Sequence, residues 1–168
     1  MNIETKSLWK KNASEILILI DKKEISIEEV LESSLNRIKE INPDINAVVT
    51  LINDDEKKRL INNFDNSTDS ILKGMPVLIK DMTDVKDMRT TYGSKLYADH
   101  FPKKSDIVVQ TIEKNGGLII GKTNIPEFAA GSHTYNSVFG LTKNPWNTLL
   151  SAGGSSGGAA AALATGMS

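Results

Sequence analysis

Two runs of consecutive apolar residues, 77–79 and 118–120, place the strongest constraint on how this chain can fold. Polar residues do not interrupt either run, which is typical of strands buried on both faces. Between the runs, Ser105 and Asp106 precede a helical pattern that Gly116-Gly117 closes. Because parallel strands need a crossover connection of this kind, the sequence predicts an α/β fold with a partly parallel sheet.

The residues before Gly74 predict helices and indicate no chemistry. Asn12 with Glu15 and Ser26 with Glu29 have the spacing of helix N-terminal capping pairs. Apolar residues then recur every three or four positions, as one face of a helix requires. We expect the second helix to end at Asn42-Pro43, followed by an extended segment Ile45–Leu51, a third helix Asp54–Asn63 and a loop Asp65–Ser70.

Glycine usage divides the chain, because all 12 glycines fall at or after Gly74. Residues 1–73 are interpreted as an N-terminal helical region, and residues 74–168 as the start of an α/β core. Together they are expected to form one incomplete domain.

The composition argues against several classes of function. The 20 Lys and Arg residues balance the 21 Asp and Glu residues, so no strong field attracts nucleic acid or an anionic membrane. Without cysteine, and with only His100 and His133, the chain has few ligands for a metal. It has no apolar run long enough for a bilayer and no secretory signal. We therefore expect a cytoplasmic enzyme or binding protein that needs no cofactor and no metal.

One match to a phosphate-binding motif lies in the wrong structural context. Residues 116–123 match the phosphate-binding loop pattern Gly-x4-Gly-Lys-Thr. Such a loop follows a strand and opens a helix. Here a helical pattern precedes the first glycine, and the intervening residues include the apolar run 118–120. This context argues against nucleotide binding.

A glycine- and serine-rich stretch, 151–158, precedes the alanine-rich run 159–164. Glycine allows a close backbone approach to a ligand, and alanine has the highest helix propensity. A flexible linker has a similar composition, but a linker gains nothing from an adjacent uncharged helix. We interpret the stretch as an active-site loop that two irregular loops, 131–136 and 140–147, lead into. The helix after it, 159–167, is expected to be buried on all sides.

Two ionisable residues are ambiguous from the residues alone. Lys80 ends the first apolar run, where a lysine either reaches water by its stem or is held inside as a base. The exposed position is favoured for an isolated lysine. For His133 a structural role is favoured over a catalytic one, because no carboxylate lies near it in sequence.

Four segments, taken together and in this order, resemble the amidase signature family. They are Gly74-Met75-Pro76-Val77-Leu78-Ile79-Lys80-Asp81, Gly121-Lys122-Thr123-Asn124-Ile125-Pro126-Glu127-Phe128, Asn144-Pro145-Trp146 and Gly153-Gly154-Ser155-Ser156-Gly157-Gly158. The resemblance extends over nearly the whole chain, from Lys6 to Ser168. It implies the N-terminal part of that family's fold, a mixed sheet flanked by helices and incomplete at the C-terminus.

The family's catalytic unit consists of a lysine, a serine in a cis peptide and a second, nucleophilic serine. By motif position, the resemblance implies that Lys80 is the base, now held inside, and that Ser155 is the bridging serine. It further implies a substrate-binding group in which Ser156 supports the site and the acyl pocket is walled by Ala129, Ala130 and Gly131.

The family's nucleophile lies in a second glycine-rich motif, Gly-Thr/Ser-Asp-x-Gly-Gly-Ser, which also supplies the oxyanion hole. No such motif occurs in these 168 residues. Since the loss of one oxyanion donor alone costs on the order of 10²–10³ in rate, we expect this chain by itself to be inactive.

The resemblance implies an amidase-type hydrolase that cleaves carboxamide bonds through an acyl-enzyme. The alternatives are the amidase subunit of a glutamyl-tRNA amidotransferase, and an inactive fragment or interaction remnant. The expected partners are a small-molecule amide substrate and either a homodimer or the missing C-terminal segment. Neither nucleic acid nor a membrane is expected.

Overall fold

A three-stranded sheet flanked by helices lies at the centre of the computed structural model, which describes residues 5–64 and 70–168. The strands are β1 (Val48–Leu51), β2 (Pro76–Lys80) and β3 (Leu118–Thr123), in the order β1-β3-β2. The parallel strands β2 and β3 are connected through α4 (Ile107–Lys114), and β1 is antiparallel to β3. The predicted α/β fold with a mixed sheet is confirmed.

In the described residues before β2, three helices are capped. They are α1 (Ala13–Asp21), α2 (Ile27–Ile45) and α3 (Asp54–Asn63). Each begins with a capping box, in which the cap side chain accepts from a backbone N–H and a glutamate three residues later accepts from the cap N–H. The predicted loop Asp65–Ser70 lies outside the described residues, apart from Ser70.

The end of α2 differs from the prediction. Pro43 lies inside its last turn, and the helix continues to Ile45. It stops at Asn46, whose φ of 57° is left-handed and whose N–H donates to the carbonyl of Asn42. The Asn42 side chain then accepts from two further backbone N–H groups, at 2.8 Å each. These bonds delay the following strand, which begins at Val48 instead of Ile45.

One hydrophobic cluster unites α2, the sheet and the C-terminal helix α5 (Gly157–Ala164). Its members include Leu31, Ile38, Ile45, Ile120, Ala161 and Ala162. The expectation that the C-terminal helix is buried all round is wrong, because Leu163 is 67% exposed. The helix packs against the sheet on one side only, and Ala160, Leu163 and Ala164 are exposed on the other.

The segment predicted as irregular loops contains two short antiparallel pairs. They are β4 (Tyr135–Asn136) with β5 (Gly140–Leu141), and β6 (Lys143–Asn144) with β7 (Asn147–Ser151). Buried amides stabilise this region: Asn136 Nδ2 donates to Asn124 Oδ1 at 2.7 Å, and Asn124 Nδ2 donates to Thr142 Oγ1 at 3.0 Å. Hydrophobic periodicity misses such elements because polar side chains hold them together. Within the described ranges, no helix has the length and apolar character to cross a membrane.

Candidate active site

The ε-amine of Lys80 lies at the carboxyl end of β2 and contacts two serine hydroxyls. Its Nζ donates to Ser155 Oγ at 2.8 Å and to Ser156 Oγ at 2.9 Å. The structure therefore brings together three residues that sequence analysis assigns to the site. Lys80 is half-buried.

Ser155 lies on the loop that connects β7 to α5, and the Gly154–Ser155 peptide bond is cis. The loop is attached to the preceding segment 132–134. Gly154 N donates to the carbonyl of Ser132 at 2.7 Å, and His133 forms a backbone bridge with Gly153. A β-carbon at Gly154 would overlap the Gly131 carbonyl oxygen, so only glycine permits this approach.

The residues predicted to wall the acyl pocket lie in the turn that ends at this contact between Gly131 and Gly154. Gly131 is exposed and its carbonyl lies directly against Gly154, next to Ser155. Ala129 is half-buried and Ala130 is exposed, both in the turn that leads to Gly131. Ala129 adopts a left-handed φ of 56°, and Phe128 before it a φ of 50°. This conformation is uncommon for residues other than glycine and makes the turn locally strained.

His133 lies on the surface, and its Nδ1 is 2.7 Å from Ser151 Oγ. This contact joins the segment 132–134 to the start of the serine loop. Among the described residues, no group of three or more His, Cys, Asp or Glu side chains could hold a metal ion.

A buried charge pair that sequence reasoning missed lies where β2 ends, between Asp81 and Lys122 of β3. Lys122 Nζ donates to Thr90 Oγ1 at 2.8 Å and lies 3.9 Å from Asp81 Oδ1. Asp81 accepts from the Thr91 hydroxyl at 2.6 Å. Both charged side chains are fully buried. Burial lowers the pKa of Lys122 to about 8 and raises the pKa of Asp81 above its usual range.

This pair also explains why the apparent phosphate-binding motif is not a loop. Residues 118–123 form strand β3, and the Lys122 ammonium is bonded to oxygens of the protein interior. The signal for the pair is the strand register, in which Ile79 lies opposite Lys122 and places Asp81 near it. The spacing along the sequence alone does not give this register.

Comparisons with known sequences agree with the resemblance. The family model Amidase matches residues 29–168. A glutamyl-tRNA(Gln) amidotransferase subunit from Thermoanaerobacter pseudethanolicus is 41% identical over 160 residues, which is 94% of this chain and 33% of that protein. The chain thus spans about a third of the length of the curated relatives it matches.

Solved structures show the same fold. A fatty acid amide hydrolase superposes over 100% of this chain and 30% of its own, with a TM-score of 0.90 and 28% identity. A 6-aminohexanoate cyclic dimer hydrolase covers 99% of this chain and 33% of its own, with a TM-score of 0.86 and 29% identity. The corresponding glutamyl-tRNA(Gln) amidotransferase subunit from Thermotoga maritima covers 99% of this chain and 34% of its own, with a TM-score of 0.81 and 31% identity. Family model, relatives and fold agree: the chain belongs to the amidase signature family.

Proposed function

We propose that this chain supplies the base and the bridging serine of an enzyme that cleaves carboxamide C–N bonds through an acyl-enzyme. One observation carries the proposal: Lys80 Nζ lies 2.8 Å from Ser155 Oγ at the open end of a parallel strand pair. A serine hydroxyl is a weak nucleophile and needs an adjacent base. The proposed roles are Lys80 as that base and Ser155 as the group that joins it to a second serine.

In this scheme the proton moves along hydroxyl groups. As the base, the amine of Lys80 accepts the proton of Ser155, and Ser155 accepts the proton of the nucleophilic serine as that oxygen attacks the carbonyl. The reverse transfers deliver a proton to the leaving nitrogen when the C–N bond breaks. The contact with Ser156 at 2.9 Å orients the amine. Gly131, with Ala129 and Ala130, is proposed to contact the acyl group.

The reaction is assigned to the whole protein. These 168 residues contain no second glycine-rich serine motif, so neither the nucleophile nor the oxyanion donors of the family can be named among them. The chain on its own is therefore proposed to be inactive.

A second candidate is the amidase subunit of a glutamyl-tRNA(Gln) amidotransferase. The relative from T. pseudethanolicus, which is named as a subunit of that enzyme, is 41% identical over 94% of this chain. The substrates would then be glutamine and an acylated tRNA. The near-neutral charge of this chain argues against direct tRNA binding by this segment.

The test compares Lys80→Ala with Lys86→Ala in the complete gene product. Lys86 is a matched control, because its side chain is 64% exposed and its Nζ lies 4.0 Å from Asp87 Oδ2. Lys80→Ala is expected to lower kcat for amide cleavage by about 10²–10⁴, the usual effect of losing a general base. It should also abolish labelling by a fluorophosphonate probe, which should not label the 168-residue chain either.

The choice of substrate separates the two candidates. Hydrolysis of simple carboxamides without partners supports a free amidase, whereas ammonia transfer from glutamine only with partner subunits and acylated tRNA supports the amidotransferase. Unchanged activity in Lys80→Ala would contradict the assignment of the base. A folded gene product without activity in either assay would favour the inactive remnant.

A further inference from the structure

The Thr134 hydroxyl holds both ends of the segment that carries Ser155. Its Oγ1 donates to the carbonyl of Gly153 at 2.7 Å and accepts from the N–H of Gly157 at 3.0 Å. These partners lie two residues before and two residues after Ser155. Thr134 is fully buried, so water does not compete for either bond.

From these contacts we propose that Thr134 is a positioning residue, which keeps the two serines of the site directed at Lys80. The reason lies at the N-terminus of α5. The first N–H groups of a helix have no partner within the helix, and a serine at the cap position usually satisfies one of them. Ser156 is the residue at that position, yet its side chain makes no capping bond.

The Ser156 hydroxyl is instead bonded to Lys80 at 2.9 Å. Thr134 satisfies a different one of these groups by accepting from Gly157 N, the first N–H of α5. A side chain distant in sequence thus caps the helix, and the local serine is left free for the site. Gly157 is suited to this contact, because a β-carbon there would overlap Thr134 Oγ1.

The backbone of Thr134 is itself fixed on both sides. Its N–H donates to the carbonyl of Ala152 at 3.2 Å, and its carbonyl accepts from Thr142 N at 2.9 Å. The Thr142 hydroxyl in turn donates to the carbonyl of Asn46 at 2.6 Å, at the end of α2. The hydroxyl that holds the serine loop is therefore connected to a rigid helix of the core.

Replacing the hydroxyl by a methyl group should release this arrangement. In Thr134→Val, Gly157 N–H and Gly153 C=O lose a buried partner, so residues 153–157 are no longer held at both ends. A shift of this segment would weaken the contacts that Ser155 and Ser156 make with Lys80. Because small displacements of reacting groups are costly, kcat should fall roughly 10–100-fold with little change in KM. This consequence for catalysis rests on the proposed function.

The experiment compares Thr134→Val, Thr134→Ser and Thr165→Val in the complete gene product. Thr165 is the control, because its hydroxyl donates to the carbonyl of Ala161 at 2.7 Å at the opposite end of α5. Thr134→Val leaves two backbone groups without their buried partner and should lose more thermal stability than Thr165→Val. Only Thr134→Val should lose kcat, and Thr134→Ser should restore it. Wild-type kcat in Thr134→Val, or a serine variant as impaired as the valine variant, would overturn the proposal. If Thr134→Val does not fold, Thr134→Cys, a weaker hydrogen-bonding group, should give an intermediate kcat, and wild-type kcat there would overturn the proposal as well.

A second readout does not depend on activity. In Thr134→Val, amide hydrogen exchange at Gly157 should rise roughly tenfold, and the NMR signal of the Lys80 ε-carbon should shift. Neither should change in Thr165→Val. An unchanged Lys80 signal in Thr134→Val would overturn the inference whatever the activity. The complete protein could cleave no amide and still show a shifted Lys80 signal in Thr134→Val. That result would support the positioning role of Thr134 and contradict the proposed function.

Discussion

Lys122 has no solvent-exposed surface, and burial is the main cause of its lowered pKa. The carboxylates of Asp81, Asp84 and Asp106 act in the opposite direction but do not offset this desolvation. A buried ion pair of this kind contributes little net stability, although removing one partner leaves an uncompensated charge. The pair is therefore better regarded as a pH-sensitive element of the interior than as a source of folding free energy.

The lowered pKa of Lys122 predicts that the stability of the folded protein depends on pH. The pKa of Lys122 is about 8 when folded and near the ordinary 10.5 when unfolded, so between these values the unfolded chain binds more protons. The free energy of unfolding should therefore rise with pH from about 8 toward 10. Above pH 10, Tyr92 acts oppositely, because burial and its bond to Asp84 raise its folded pKa.

Denaturant titrations of wild type and Lys122→Met at pH 7.5, 8.5 and 9.5 isolate this contribution. The rise should be present in the wild type and absent in the variant. An equal rise in both proteins would show that other groups cause it.

The residues of the site differ in how far sequence alone could predict them. Lys80 and Ser155 lie within motifs, so their positions along the chain were enough to bring them into the hypothesis. The pair of Asp81 and Lys122 depends on the register of β2 against β3, which no local pattern encodes. The role of Thr134 depends on a loop that folds back onto residues 151–157. Polar contacts decide the geometry of this loop, and hydrophobic periodicity does not encode them.

At the scale of elements, α5 begins with two glycines although glycine is a poor helix former. Packing overrides propensity here. The N-terminus of α5 lies directly on the backbone that follows β3, where Gly158 N donates to the carbonyl of Asn124 at 3.3 Å. A β-carbon at Gly158 would overlap the backbone of Asn124.

Gly158→Ala should therefore destabilise the protein by about 1–3 kcal/mol, the usual cost of overpacking. Propensity alone predicts a gain of about 1 kcal/mol, so the two effects have opposite signs. Gly153→Ala is the control, since a β-carbon there meets no atom within 4 Å. Urea denaturation measures the free energy of unfolding of both variants. A Gly158→Ala variant at least as stable as wild type would refute the packing argument.

The elements themselves were predictable where the signal is local. Capping pairs gave the beginnings of α1 and α2, and uninterrupted apolar runs gave β2 and β3. The end of α2 was not predictable, because the Asn42 side chain redirects the backbone through bonds to residues 47 and 48.

At the scale of the molecule, the division at residue 73 separates segments that share one core. Strand β1 pairs with β3, and Leu31 and Ile38 of α2 belong to the same cluster as Ile120. Residues 74–168 alone would expose one edge of β3 and one face of the sheet. The two segments are therefore proposed to fold as a unit.

A comparison of residues 74–168 with the full 168-residue chain tests this proposal. Amide hydrogen exchange in β3 should be slow in the full chain and unprotected in the shorter one. Equal protection of residues 118–123 in both would show that the C-terminal part folds independently.

The contact between Lys80 and Ser155 joins residues 75 positions apart. On a ribosome that adds about 5–20 residues per second, the lysine is made roughly 4–15 s before the serine. Closing so long a segment also carries an entropic cost that local helices do not have. The nascent polypeptide therefore carries a lysine without its serine for seconds, and the proposed chemistry can begin only once residues 151–158 have been synthesised and folded back.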